Sequence, residues 1–81
     1  MKSTFEEVVE FLKDYAEFDE GEVSESTQLI ADLGLDSIRL IAIAEDSERK
    51  YNIFIEDDEL MSIKTVGDIA NVIEKHNSDK I

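Results

Sequence analysis

The sequence has no cysteine and no proline, only three glycines and one histidine, and eight basic residues against twenty-one acidic ones among its 81. Without cysteine there is no disulfide framework, no thiolate metal site and no thiol nucleophile, a composition that fits the cytosol. No apolar run approaches the roughly 18 residues that cross a bilayer, so no membrane insertion is expected. Met1-Lys2-Ser3-Thr4-Phe5-Glu6-Glu7 lacks the basic-then-apolar plan of a secretory signal. There is no internal repeat, and the length suits one small domain over 1–81.

The shortage of bases leaves a formal net charge of −13. Such a surface repels nucleic acid and anionic lipid and favours basic protein patches, with fast, salt-sensitive association. Solubility alone is the plainer account of the same charge. Strongly charged chains with little apolar patterning stay disordered, but here 42% of the residues are hydrophobic and regularly spaced.

The first regular stretch opens at Ser3 or Thr4, each with a glutamate three residues on (Glu6 or Glu7), a capping-box pattern. Phe5, Val8, Val9, Leu12, Tyr15 and Ala16 follow at spacings of three and four, which predicts a helix over 4–17. Residues 18–35 carry turn signals at Gly21 and Ser24-Glu25-Ser26-Thr27 but are threaded with Val23, Leu29, Ile30, Leu33 and Leu35. That pattern describes a long loop packed down by apolar anchors, with room for a helical turn at 27–31. A second helix is predicted over 37–50. Ile38, Ile41 and Ala42 form one strip on it; Leu40, Ile43, Ala44 and Ser47 form another. The alternation in Tyr51–Ile55 hints at a strand, but a lone strand has nothing to pair with. Glu56-Asp57-Asp58-Glu59 opens a short helix through 61. Thr65 caps a last helix over 66–76, striped with Val66, Ile69, Ala70 and Ile73, and 77–81 reads as a frayed tail. The whole is an all-α pattern: a small four-helix bundle of three main helices and one short one, with a long loop after the first.

The junction before the second helix is the chemically suggestive stretch. In Leu33-Gly34-Leu35-Asp36-Ser37-Ile38, Gly34 suits a turn with φ > 0 and Asp36 suits a helix N-cap. Ser37 then stands at the first helical position, where backbone amides and the helix dipole stabilise a phosphate. A serine there is ordinarily just a helix-start residue. His76, near the end of the last helix, reads as a C-terminal cation rather than a catalyst. Glu56–Glu59 lacks the alternating ligands and mid-loop glycine of a calcium loop, so no metal site is assigned, and no catalytic constellation is visible.

Taken together, Leu29-x-x-x-Leu33-Gly34-Leu35-Asp36-Ser37-Ile38, then Tyr51-Asn52-Ile53-Phe54-Ile55, an acidic short helix, and Lys64-Thr65-Val66-Gly67-Asp68-Ile69 resemble the acyl carrier proteins over nearly the whole chain. The resemblance implies that the Ser37 hydroxyl is joined by a phosphodiester to 4′-phosphopantetheine. A carrier protein synthase transfers that arm from coenzyme A with Mg²⁺, and Asp36 helps to position the donor. The arm's thiol carries acyl groups as thioesters for the enzymes of fatty acid, polyketide or related specialised synthesis. The protein is then a cytoplasmic carrier, expected to be monomeric, and not an enzyme. Its docking residues would be Ile38, Arg39, Ile41, Glu45 and Glu48, facing basic patches on acyl-loading and acyl-transfer enzymes. Departures from the common fatty-acid pattern are Arg39 and Ala42 where acids are usual, Glu45 where an apolar residue is usual, and Ser47 where the core takes leucine. They make a specialised carrier as good a reading as the housekeeping one. An aminoacyl, peptidyl or D-alanyl carrier, or an unmodified acidic interaction module, are the alternatives.

Overall fold

The computed structural model describes residues 2–78. Its order is α1 (Thr4–Leu12), a single 3₁₀ turn at Glu20–Glu22, α2 (Ser37–Tyr51), α3 (Asp57–Ser62) and α4 (Val66–Ser78), with no strand among the described residues. This is the all-α four-helix arrangement read from the periodicity.

Ser3, not Thr4, is the first cap. Its hydroxyl accepts from Glu6 N–H while the Glu6 carboxylate accepts from Ser3 N–H. The first helix stops at Leu12, five residues short of the expected end at 17. There the backbone tightens: Asp14 N–H reaches Phe11 O and Tyr15 N–H reaches Leu12 O at 3.1 and 2.9 Å. Asp14 and Glu17 put negative charge at the negative end of the helix dipole, and Lys13 at the C-cap, paired with Glu20, offsets only part of it. Tyr15 and Ala16 still pack on the core, but from a turn.

The long loop is strapped to the start of α4. Gly67 N–H donates to Glu25 O, Val66 N–H to Thr27 O, and Leu29 N–H to Lys64 O, at 2.9 to 3.0 Å. Leu29 and Leu35 are buried, and Val23 and Leu33 lean on the same core. Near the helical turn expected at 27–31 the chain makes a turn of helical reach, Asp32 N–H to Gln28 O at 3.0 Å, that does not continue as a helix. It closes with Gly34 N–H to Ile30 O at 3.1 Å and Gly34 at φ +72°, a left-handed position open to glycine.

Only one of the two α2 strips faces inward. Ile43, Ala44 and Ser47 are buried and Leu40 is half-buried, while Ile38 and Ile41 are exposed. Ser47 is the one buried polar residue among those described; its hydroxyl donates to Ile43 O at 2.9 Å, so the group is satisfied. Asn52, at φ 54°, ends α2. The link to α3 is irregular rather than a strand, held by Ile53 N–H to Glu48 O and Ile55 N–H to the Glu48 carboxylate. Tyr51 donates its hydroxyl to Glu7 at 2.7 Å, and burial first, then that bond, pushes its phenol well above the usual range.

α3 buries none of its own residues; Ile55 and Ile63 at its two ends anchor it. Its Glu59 meets His76 of α4 at 2.9 Å and Lys75 at 3.6 Å. Burial works to raise the Glu59 carboxyl, yet His76, the Glu56 amide and Lys75 together hold it below its ordinary value. Thr65 caps the start of α4: its hydroxyl accepts from Asp68 N–H while Asp68 accepts from Thr65 N–H. The helix runs two residues past the expected 76, so 77 and 78 are helical rather than frayed; 79–81 lie outside the described residues. Val66, Ile69, Ala70 and Ile73 meet Val8, Val9 and Leu12 of α1 at the centre of the core.

Candidate functional site

The loop before α2 is fixed from below and open above. Leu35 is only 2% exposed, whereas Asp36, Ser37 and Ile38 are all exposed. The Asp36 carboxylate accepts from Arg39 N–H at 2.8 Å, and Leu40 N–H makes the first intrahelical bond to Asp36 O at 3.0 Å. The amides of Ser37 and Ile38 precede that bond and have no acceptor within the helix. A phosphate esterified to the Ser37 hydroxyl therefore meets free amides and the positive end of a 15-residue helix.

Beside Ser37 lies a groove of about 450 Å³. Leu40 and Ile41 of α2, Leu60 and Met61 of α3, and Ile30 of the loop make it apolar, and Gln28 and Lys64 lie on its lining. The α3 and loop contributions were not legible in the sequence. Leu60 and Met61 form an apolar pair in a helix that buries nothing, and Ile30 sits in a solvated turn; the exposure of Met61 and Ile30 beside half-buried Leu60 marks them only once the fold is known.

The docking residues read from the sequence fall into three settings. Ile38 and Ile41, 78% and 48% exposed, and Glu45, also exposed, lie near Ser37 or further along α2 facing solvent. Glu48 is half-buried, with its carboxylate on Ile55 N–H at 2.8 Å, so it caps the α2–α3 link. Arg39 sends its guanidinium to Tyr15 O at 3.5 Å, toward the end of α1 and away from the groove. Among the described residues no three histidines or carboxylates gather as a metal-holding group, and Glu56 and Glu59 are spent on capping α3.

The family model for the phosphopantetheine attachment site matches residues 6–73. It belongs to the acyl carrier protein family. An acyl carrier protein of Thermotoga maritima is 38% identical over 71 residues, covering 88% of each chain. The meromycolate extension acyl carrier protein of Mycolicibacterium smegmatis is 32% identical, over 93% of this chain and 80% of that one. A crystal structure of an acyl carrier protein from Thermotoga maritima superposes with a TM-score of 0.77 at 27% identity, over 91% of this chain and 86% of that one. The cofactor of this carrier is 4′-phosphopantetheine. The residues present fit it: an exposed hydroxyl, two unclaimed amides and an adjoining groove lie where the Asp36-Ser37 step meets the start of α2. No described helix is long and apolar enough to cross a membrane.

Proposed function

We propose that Ser37 carries the arm and that the protein holds acyl groups for fatty acid, polyketide or related specialised synthesis without catalysing a step itself. The carrying observation is the exposed Ser37 at the first position of α2, held by the Asp36 cap and the buried Leu35 beneath it. When bound, the cofactor supplies the thiol that this cysteine-free chain lacks. Asp36 orients the helix start and stays exposed, available to the Mg²⁺-bound donor during modification. Partner enzymes reach Ser37 over Ile38, Ile41 and Glu45, opposite basic residues of their own; Arg39 repels a basic patch that wraps further round. The reading places the carrier in the cytoplasm as a single domain over 1–81, working as a monomer, in keeping with its lack of cysteine.

The test is incubation with coenzyme A, Mg²⁺ and a broad-range carrier protein synthase, followed by intact mass. One arm is expected on the wild type and none on Ser37→Ala, which remains folded because Ser37 buries nothing. Labelling of Ser37→Ala would show the assignment to be wrong. Intact mass of protein from its native host then separates acyl from aminoacyl cargo.

A further inference from the structure

We propose that Lys64 pairs with the arm's phosphate and so holds the arm along the groove beside Ser37. This rests on the assignment of Ser37. The attachment residue itself lines the groove, so the occupant is tethered at its mouth. Of the described residues lining it, Lys64 alone is charged. The phosphodiester is anionic at every working pH, and beyond the free amides that open α2 the surrounding side chains offer few cations. Between Lys13 and Arg49 the chain has a single base, Arg39, among eleven acids. Arg39 is engaged with Tyr15 O on the α1 side.

Lys64 is placed for this task by its backbone and free for it by its side chain. Its carbonyl accepts from Leu29 N–H and its amide donates to Asp68, so the residue is fixed between the loop and the start of α4. Its side chain is exposed, and no carboxylate among the described residues lies within ion-pair distance of its ammonium. Asp68 spends one oxygen on the Lys64 and Thr65 amides, and the Lys64 ammonium acts on that carboxylate only through space, from beyond ion-pair distance. A point charge on a flexible stem suits a phosphate that must be released as readily as held. Gln28, exposed on the same lining, offers an amide to the polar groups of the arm, while Ile30, Ile41 and Met61 cover its apolar length. The docked arm keeps its thiol close to α3 instead of free in solvent.

The experiment uses the arm-bearing protein, its loading checked first by intact mass; no arm on Ser37 would be a failure of the carrier reading and would appear at that step. Phosphorus NMR and the rate of thiol alkylation by iodoacetamide, an uncharged reagent indifferent to the acidic surface, are compared for wild type, Lys64→Gln, Lys64→Glu, Lys64→Arg and Lys13→Gln at low and high salt. At low salt, Lys64→Gln should alkylate about two- to fivefold faster than wild type, the size expected of one exposed ion pair, and Lys64→Glu faster still. The phosphorus resonance should move in both. Lys64→Arg should restore the wild-type values, and salt should raise the wild-type rate to that of Lys64→Gln. All four substitutions sit on exposed positions, so each variant is expected to fold. Equal rates and resonances for wild type and both charge-removing Lys64 variants at low salt would overturn the proposal, as would an equal rise in Lys13→Gln.

Discussion

Single residues show most clearly where sequence reading reaches its limit. Gly34 and Asp36 act through their own backbone and the next turn, so a positive φ and an N-cap could be read from their types and order. Ser47 was legible as a member of one of the two α2 strips but not as a buried and satisfied hydroxyl, whose partner is the carbonyl of its own helix one turn back. Gly67 was not legible at all. It stands inside the first turn of α4, where alanine is the better helix former by about 1 kcal/mol. The reason for glycine lies in the loop: a Cβ there would come within 2.8 Å of Glu25 O, the same oxygen to which Gly67 N–H donates at 2.9 Å. The obstacle is backbone and cannot swing aside. Gly67→Ala should therefore cost roughly 1–3 kcal/mol through displacement of the loop, in spite of the gain in propensity. Urea unfolding measures it, and a midpoint above that of the wild type would show that the loop yields freely. Because this strap also fixes Lys64 and Leu29, the same change should loosen the groove beside Ser37.

At the scale of elements, existence was easier to read than extent. All four helices carry their apolar spacing and capping residues within the segment, so their presence and starts could be inferred locally. The end of α1 could not, since Tyr15 and Ala16 keep the helical spacing while packing from a turn. On α2 the two apolar strips are alike in composition, and only the positions of α1, α3 and α4 decide which is buried. The acidic strip divides in the same way. Glu45 is exposed, whereas Glu48 is committed to Ile55 N–H. The two acids should thus fail differently when reversed. Glu45→Lys should leave the melting temperature near that of the wild type and slow transfer to a cognate enzyme roughly three- to tenfold at low salt, the gap closing as salt rises. Glu48→Lys should lower stability by about 1–3 kcal/mol, because a part-buried amide loses its acceptor. Transfer rates against ionic strength, beside melting curves, separate the two. A Glu45→Lys protein that matches the wild type at every salt concentration would remove this strip as a docking face and leave the acidic turn at Asp57–Glu59 as the next to test.

Over the whole molecule, a charge of −13 on a body with a Cα radius of gyration of 11.8 Å sets repulsion against a core of modest size. Part of that charge is well placed. Glu6 and Glu7, Asp57, Asp58 and Glu59, and Asp68 occupy first turns, where the helix dipole favours them. Four lysine or arginine pairs, Lys2–Glu10, Lys13–Glu20, Arg49–Asp46 and Lys75–Glu59, offset a little more. Salt screens these favourable terms along with the repulsion, so the sign of its effect depends on which is larger. With twenty-one acids against eight bases, repulsion is the larger. Raising sodium chloride from about 10 mM to about 0.5 M shortens the screening length from ~30 Å, comparable to the fold's own extent, to a few ångströms, and should raise the melting temperature. Magnesium at matched ionic strength should do no more than sodium, because the described carboxylates and histidine do not converge as a ligand set. A melting temperature indifferent to salt would mean that the first-turn acids and ion pairs already balance the charge. A rise with magnesium well beyond that with sodium would reveal a specific cation site on this acidic surface.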